Sequence, residues 1–384
     1  MSPPVDVDSI IRDLREETGL DDLGDSTYRL GLDVFLDALE REARLTAVGE
    51  AVVADQVTAA LRTRLRVERW WAEHPALGQE HVERPVFIVG MSRSGTTALS
   101  HLLARDPGNR TLLGWEAADP VPPPSPDTYA TDPRFEAARE NEFGMLHRLN
   151  PNLAALHHDP PDLPVECLVP MAQHFVSLSL PTMYPVPSYA AWVLGADHAP
   201  VYRWHERVLC LLQSGGVRGR WVLKSPHHAI ALDALVERYP DARFVVTHRD
   251  PLTCVASAAS LGRELTWVFA ELPGDDELGV QWTTLLGAMA DGLVRYRDLH
   301  GDDRFIDVPY RSLTDDPIGT VHRIYDQLGE AVPPTYEDAL RRHVEVAVQH
   351  RFGHHRYTPE EFGLDRGTVD ERFTDYRERF AEHL

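Results

Sequence analysis

Residues 85–103 leave this chain little choice of fold. Val86, Phe87, Ile88 and Val89 form a short apolar run that reads as a buried parallel strand. Gly90 and Gly95 then flank the small polar loop Met91-Ser92-Arg93-Ser94, and an apolar helix begins at Thr96. Such a corner cradles anions. Two glycines let the backbone curl so that consecutive N–H groups point inward, and the positive end of the following helix adds its attraction. The spacing Gly-x4-Gly is the first part of the nucleotide-triphosphate loop GxxxxGK[ST], but Thr96 stands where that motif requires lysine. Arg93 inside the loop can supply the missing charge, with hydroxyls from Ser94, Thr96 and Thr97. The bland alternative is an ordinary strand-turn-helix corner.

A regular pattern returns at residue 220. Residues 220–224 read as a strand, Ser225 and Pro226 as the cap and first residue of a helix reaching 239, Pro240-Asp241 as a turn, and 243–248 as another strand. A right-handed crossover makes the two strands parallel, and ligands of such sheets bind beyond the carboxyl ends of the strands. Arg93, Lys224 and Arg249 each lie at or just beyond such an end. Three cations from three strand ends suit a ligand with several anionic groups. Asp250 and Pro251 then start a helix on which Thr253 and Ser257 share a face. Residues 304–308 read as one more strand, followed by Tyr310-Arg311-Ser312-Leu313 and a helix, and 334–350 and 369–384 read as helical.

The rest of the chain is arranged around this sheet. Residues 5–76 carry apolar positions at helical spacing, among them Ile10, Ile11, Leu14, Leu32, Phe35, Leu36 and Leu39, and read as two or three packing helices. After the loop's helix, 111–114 reads as a short strand leading to Glu116. A carboxylate there could reach the crevice and take a proton from an acceptor hydroxyl, or simply be a solvated loop carboxylate. Residues 132–216 hold helical pieces at 135–149, 165–178 and 201–213, broken by prolines and joined by the aromatic link 184–192. Such a section forms a lid or acceptor wall, or plain core. His157, His158, Glu166 and Cys167, like His350 and His354, lack the spacing of a metal-ligand set. The expected organisation is a helical region over 1–80 and an α/β domain over 81–384 with 132–216 inserted.

Composition narrows the partners. A formal net charge of −22 repels polyanions and argues against nucleic acid. No apolar run reaches the about 18 residues of a membrane span, and the first residues lack a secretion signal. Three scattered cysteines offer no disulfide framework, so a cytoplasmic setting is expected. Nearly all basic residues are arginine, and Lys224 is the only lysine. A compact, rotatable ammonium is something arginine cannot imitate, so its survival at a strand end suggests a chemical requirement.

Four motifs in order, Gly90-Met91-Ser92-Arg93-Ser94-Gly95-Thr96-Thr97, Leu223-Lys224-Ser225-Pro226, His248-Arg249-Asp250-Pro251 with Ser257 further on, and Tyr310-Arg311-Ser312-Leu313, resemble those of sulfotransferases that use 3′-phosphoadenosine-5′-phosphosulfate (PAPS), in particular the bacterial branch. The resemblance covers roughly residues 83–384. It implies an α/β fold, a three-layer parallel sheet with a P-loop-like phosphosulfate loop, PAPS as co-substrate without a metal, and a small-molecule hydroxyl or, less readily, amine acceptor. It also implies that Gly90, Ser92, Arg93, Ser94, Gly95, Thr96 and Thr97 hold the 5′-phosphosulfate. Arg249 and Ser257 would hold the 3′-phosphate, Tyr310 would lie near adenine, and Arg351 and Gly353 would close over the site. Arg93 and Lys224 would stabilise charge on the leaving phosphate. Cytosolic members carry a histidine two residues after the motif lysine, where this chain has Pro226; other branches use a glutamate after the loop helix, so Glu116 is the expected base and His227 the reserve. Ala98 replaces the cytosolic tryptophan that stacks on adenine. A P-loop kinase or nucleotidase, or a member repurposed as a nucleotide-binding partner protein, are the rival readings. The acceptor is left open, as is a homo-oligomer.

Overall fold

The computed structural model describes residues 5–140, 144–153, 160–346 and 357–384. Its centre is a parallel sheet of five strands, β1 (Val86–Gly90), β2 (Asn109–Thr111), β3 (Arg220–Lys224), β4 (Arg243–His248) and β5 (Phe305–Pro309), in the order β2-β3-β1-β4-β5. In register, Val86 of β1 stands beside Val222 of β3 and Arg243 of β4, and Phe244 of β4 stands beside Phe305 of β5.

Alternation along the strands builds two cores, one on each face. Phe87, Val89, Leu223, Phe244 and Val246 join the larger one, and Val86, Ile88, Val222, Val245 and Ile306 the smaller. Helices Thr96–Leu103, Pro317–Leu328 and Pro334–Val346 cover the smaller core through Leu99, Val321 and Leu340. Helices Ala199–Ser214, Leu232–Arg238, Pro251–Phe269 and Asp275–His300 cover the larger, and the N-terminal helices Tyr28–Glu42 and Ala47–Glu73 add Leu32, Phe35, Val53 and Leu61 to it. The result is the three-layer α/β arrangement expected of strands buried on both faces.

Four local expectations shift. The helix expected over 165–178 is replaced by a non-helical stretch after Pro164 and the short helices Leu168–Ala172 and Ser179–Met183. The strand expected at 111–114 runs over Asn109–Thr111 instead, because Gly114 already opens the short helix Gly114–Ala118 with Leu113 extended before it. The helix expected across 225–239 divides into a 3₁₀ turn, Pro226–Ile230, and helix Leu232–Arg238, parted at Ala231 with φ −135°. The stretch 369–384 is likewise broken into Arg366–Arg372, Thr374–Arg379 and the turn Ala381–His383.

Candidate active site

Neighbouring strands deliver the cations to one crevice. The sheet order places the carboxyl ends of β3, β1, β4 and β5 side by side, so Lys224, the loop after Gly90, Arg249 and Tyr310 emerge next to one another. The loop's glycines are there for space as well as conformation. A Cβ on Gly90, at φ +142°, would lie 2.7 Å from the Thr247 carbonyl oxygen, and one on Gly95, at φ +105°, would lie 2.9 Å from the Tyr310 ring. Arg93 is left-handed too, at φ +70°, without being glycine. That costs on the order of 1–3 kcal/mol, a strain that folds retain where it serves a site.

The strain aims Arg93 across the crevice. Its Nε donates to Ser257 Oγ at 3.1 Å, and Arg249 Nη1 donates to the Arg93 carbonyl at 3.0 Å while its guanidinium lies 4.1 Å over the Tyr310 ring. Burial draws the Arg93 guanidinium below the usual arginine value, with Tyr357 opposing the shift and Arg249 adding to it. The Arg249 charge thus repels that of Arg93, and an anion between them would relieve the repulsion. Arg93, Ser257, Arg249, Tyr310 and Gly95 therefore form one constellation. Ser94 has a different role from the other hydroxyls: fully buried, it donates to the Met91 carbonyl at 2.6 Å and pairs with Thr247 Oγ1 at 2.6 Å, which shapes the loop from inside. Thr97 is exposed at the helix start, and Ser92 is half-buried in the loop.

Lys224 lies on the other side of the loop. Its side chain is 1% exposed, and Nζ stands 3.3 Å from Thr97 Oγ1 and 3.1 Å from Glu166 Oε1. Glu166 is brought there by backbone pairing. Val165 N–H donates to the Leu112 carbonyl at 2.8 Å and Cys167 N–H to the Lys224 carbonyl at 2.9 Å, so this segment runs along the ends of β2 and β3. Val165 and Cys167 are buried, whereas the Glu166 side chain faces Lys224 and keeps 23% of its surface exposed.

Both bases expected from the sequence are otherwise engaged. Glu116 is fully buried; Arg110 clasps it with Nη2–Oε1 at 2.5 Å and Nη1–Oε2 at 3.2 Å, and the Leu113 N–H and the Tyr129 hydroxyl also donate to it at 3.3 Å each. With both oxygens paired and none exposed, it braces Arg110 and the start of its helix. Replacing it by glutamine strands a buried guanidinium, so Glu116→Gln should destabilise the fold by about 3–5 kcal/mol in urea unfolding. His227 is also fully buried. Its Nδ1 accepts from the Leu178 N–H at 3.4 Å, which leaves the proton of the neutral ring on Nε2, and burial first, then repulsion from His198 and His228, lowers its pKa well below the ordinary value. A ring in that state has no lone pair to offer. Arg351 and Gly353 lie outside the described residues, as do His157, His158, His350 and His354.

Residues 85–334 match the model of the Sulfotransferase family. The chain belongs to the sulfotransferase family. Two solved structures resemble this sulfotransferase over nearly its whole length: sulfotransferase STF9 from Mycobacterium avium, with 31% identity, a TM-score of 0.86 and coverage of 97% of this chain and 96% of that one, and sulfotransferase STF1 from Mycobacterium tuberculosis H37Rv, with 32% identity, a TM-score of 0.85 and coverage of 97% and 99%. Over 307 residues it is 26% identical to the omega-hydroxy-beta-dihydromenaquinone-9 sulfotransferase Stf3 of Mycobacterium bovis, spanning 77% of this chain and 75% of the relative. Among the described residues no helix is long and apolar enough to cross a membrane.

Glu166 escaped the sequence reading as a partner of Lys224. In sequence it stands out only with His157, His158 and Cys167, a group without the spacing of a metal-ligand set. The available signal is the alternation Val165-Glu166-Cys167 after Pro164, a single acid between two apolar residues.

Proposed function

We propose that this sulfotransferase moves a sulfuryl group from PAPS to the hydroxyl of a small organic acceptor, with Glu166 as the base. The observation that carries the reading is the group Thr97–Lys224–Glu166, which sets the chain's only lysine between the anion loop and a partly exposed carboxylate. The residues present suit the donor: an anion loop whose glycines leave no room for side chains, and the Arg93–Ser257–Arg249 group for a second phosphate. When bound, PAPS supplies a sulfuryl group on a phosphate leaving group.

The remaining roles belong to the chain. Loop N–H groups, Thr96 and Thr97 hold the 5′ end, Arg249 and Ser257 the 3′-phosphate, and Tyr310 the adenine side. Arg93 and Lys224 stabilise the negative charge that builds on the leaving oxygen. Glu166 accepts the proton of the acceptor hydroxyl as its oxygen attacks sulfur. Lys224 links the two events: its ammonium pairs with Glu166 and also lies beside Thr97 at the loop, where it can turn to the leaving oxygen. A hydroxyl acceptor is supported by the Stf3 relative, an omega-hydroxy-beta-dihydromenaquinone-9 sulfotransferase.

Calorimetric titration tests the donor. Binding of 3′,5′-adenosine bisphosphate, the desulfated product, should be tight and independent of Mg²⁺, with ADP and ATP much weaker. Preference for ATP with Mg²⁺ would transfer the site to phosphoryl chemistry, and no nucleotide binding at all would leave a repurposed partner protein.

A further inference from the structure

The turn that carries Arg249 is gripped on either side by the C-terminal helices Arg366–Arg372 and Thr374–Arg379. His248, fully buried, pairs Nδ1 with the Tyr376 hydroxyl at 2.8 Å and Nε2 with Asp307 Oδ1 at 2.8 Å. Asp250 caps helix Pro251–Phe269, its Oδ1 accepting from the Thr253 N–H at 3.0 Å and hydroxyl at 2.9 Å. Its Oδ2 takes Arg366 Nη1 at 2.5 Å, with Arg377 Nη1 at 3.6 Å. Asp370 shares both arginines, at 3.5 Å and 3.1 Å.

Neither capping nor stability explains why a charge sits at position 250. Asparagine caps a helix about as well as aspartate. The Arg366 side chain is 53% exposed, and exposed ion pairs add little to stability. Yet a carboxylate one residue from Arg249 would repel any phosphate that Arg249 receives. The Cys254 thiol, one turn into the same helix, registers the neighbouring charges: burial pushes it up to about 12, Arg249 and Arg93 pull it down, and Asp250 pushes it up. The charges of Asp250 and Arg249 therefore act on the same space at the start of this helix.

We propose that Arg366, backed by Arg377, is a positioning residue for the donor's 3′-phosphate: it neutralises Asp250, so that this carboxylate does not repel the phosphate that Arg249 receives. The proposal rests on the PAPS reading above. Its consequence is a gain in donor affinity assembled from residues that touch no ligand.

A double-mutant cycle on the full chain tests it, with calorimetry of 3′,5′-adenosine bisphosphate and of 5′-AMP, which lacks the 3′-phosphate. Arg366→Gln should weaken the bisphosphate about fivefold to tenfold, leave 5′-AMP and the unfolding midpoint unchanged, and lose less at high salt. Asp250→Asn should bind the bisphosphate at least as well as the native chain and make Arg366→Gln silent. Equal losses for both nucleotides, no loss at all, or weaker binding by Asp250→Asn would overturn the proposal. So would an undiminished loss in the Asp250→Asn background, since Arg366 would then be touching the ligand. A native chain that binds the bisphosphate no better than 5′-AMP would overturn the PAPS reading itself, and this proposal with it.

Discussion

Glu166→Gln is expected to leave the affinity for 3′,5′-adenosine bisphosphate close to that of the native chain and to lower turnover on the order of a hundredfold or more, the usual consequence of removing a general base. Glutamine keeps the shape and an acceptor for Lys224 Nζ, now 3.1 Å away, so the lysine stays in place. The side chain is partly exposed and lies outside both cores, so the fold should tolerate the change. Glu116→Gln should behave in the opposite way, losing stability through the stranded Arg110 while its folded fraction turns over nearly as fast as the native chain. Single-turnover rates, measured on protein shown by unfolding curves to be native, separate the two carboxylates. Normal turnover in Glu166→Gln would sink the assignment, and a hundredfold loss in well-folded Glu116→Gln would return the base to residue 116.

The contrast between these two glutamates shows what a sequence discloses of a site like this one. β1, β3, β4 and β5 were legible to within a residue, because continuous apolar runs closed by Gly90, Ser225-Pro226 and Asp250-Pro251 report burial and termination locally. Their carboxyl ends bring Arg93, Lys224 and Arg249 together simply because the strands are parallel neighbours. A residue that enters the crevice from another segment leaves no such trace. Glu166 arrives through the N–H of Cys167 pairing with the carbonyl of Lys224, 57 positions later in the chain, and no local spacing encodes that bond. Glu116 shows the complementary limit. Its position after a strand is legible, but the partner that clasps it, Arg110, looks in sequence like one arginine among many. Which acid meets which cation is decided by tertiary packing, so such a pairing is harder to read than the cradle beside it.

Packing also decides how this chain should respond to acid, and the effect is large. Burial lowers the pKa of His174 to about 3, with repulsion from Arg64 second; His198 falls to about 4 and His205 to about 3, while His227 and His228 fall well below the ordinary value. The geometry agrees with neutral rings: Tyr202 and Tyr239 hydroxyls pair with His228 and His205 at 2.9 Å and 2.7 Å, and among the described residues no carboxylate pairs with any of the five. Above about pH 6.5 these histidines are neutral in the folded and the unfolded chain alike and cost nothing. Below it the unfolded chain takes up protons that the folded one refuses until its own, lower values are reached, so stability falls with pH across roughly 6.5 to 4. One unit below 6.5 each histidine contributes about 1.4 kcal/mol of destabilisation, on the order of 7 kcal/mol for five, a large part of the 5–15 kcal/mol typical of a folded protein. Urea unfolding at pH 7.5, 6.5 and 5.5 should show a steep loss of midpoint between the last two, corresponding to the uptake of roughly four protons on unfolding. The cluster begins directly after the motif lysine, at His227 and His228, so the 3₁₀ turn that follows β3 should open with the rest and catalysis should fail together with the fold. A midpoint that changes by less than one proton's worth over that interval would show that the cluster is hydrated or already charged in the folded state.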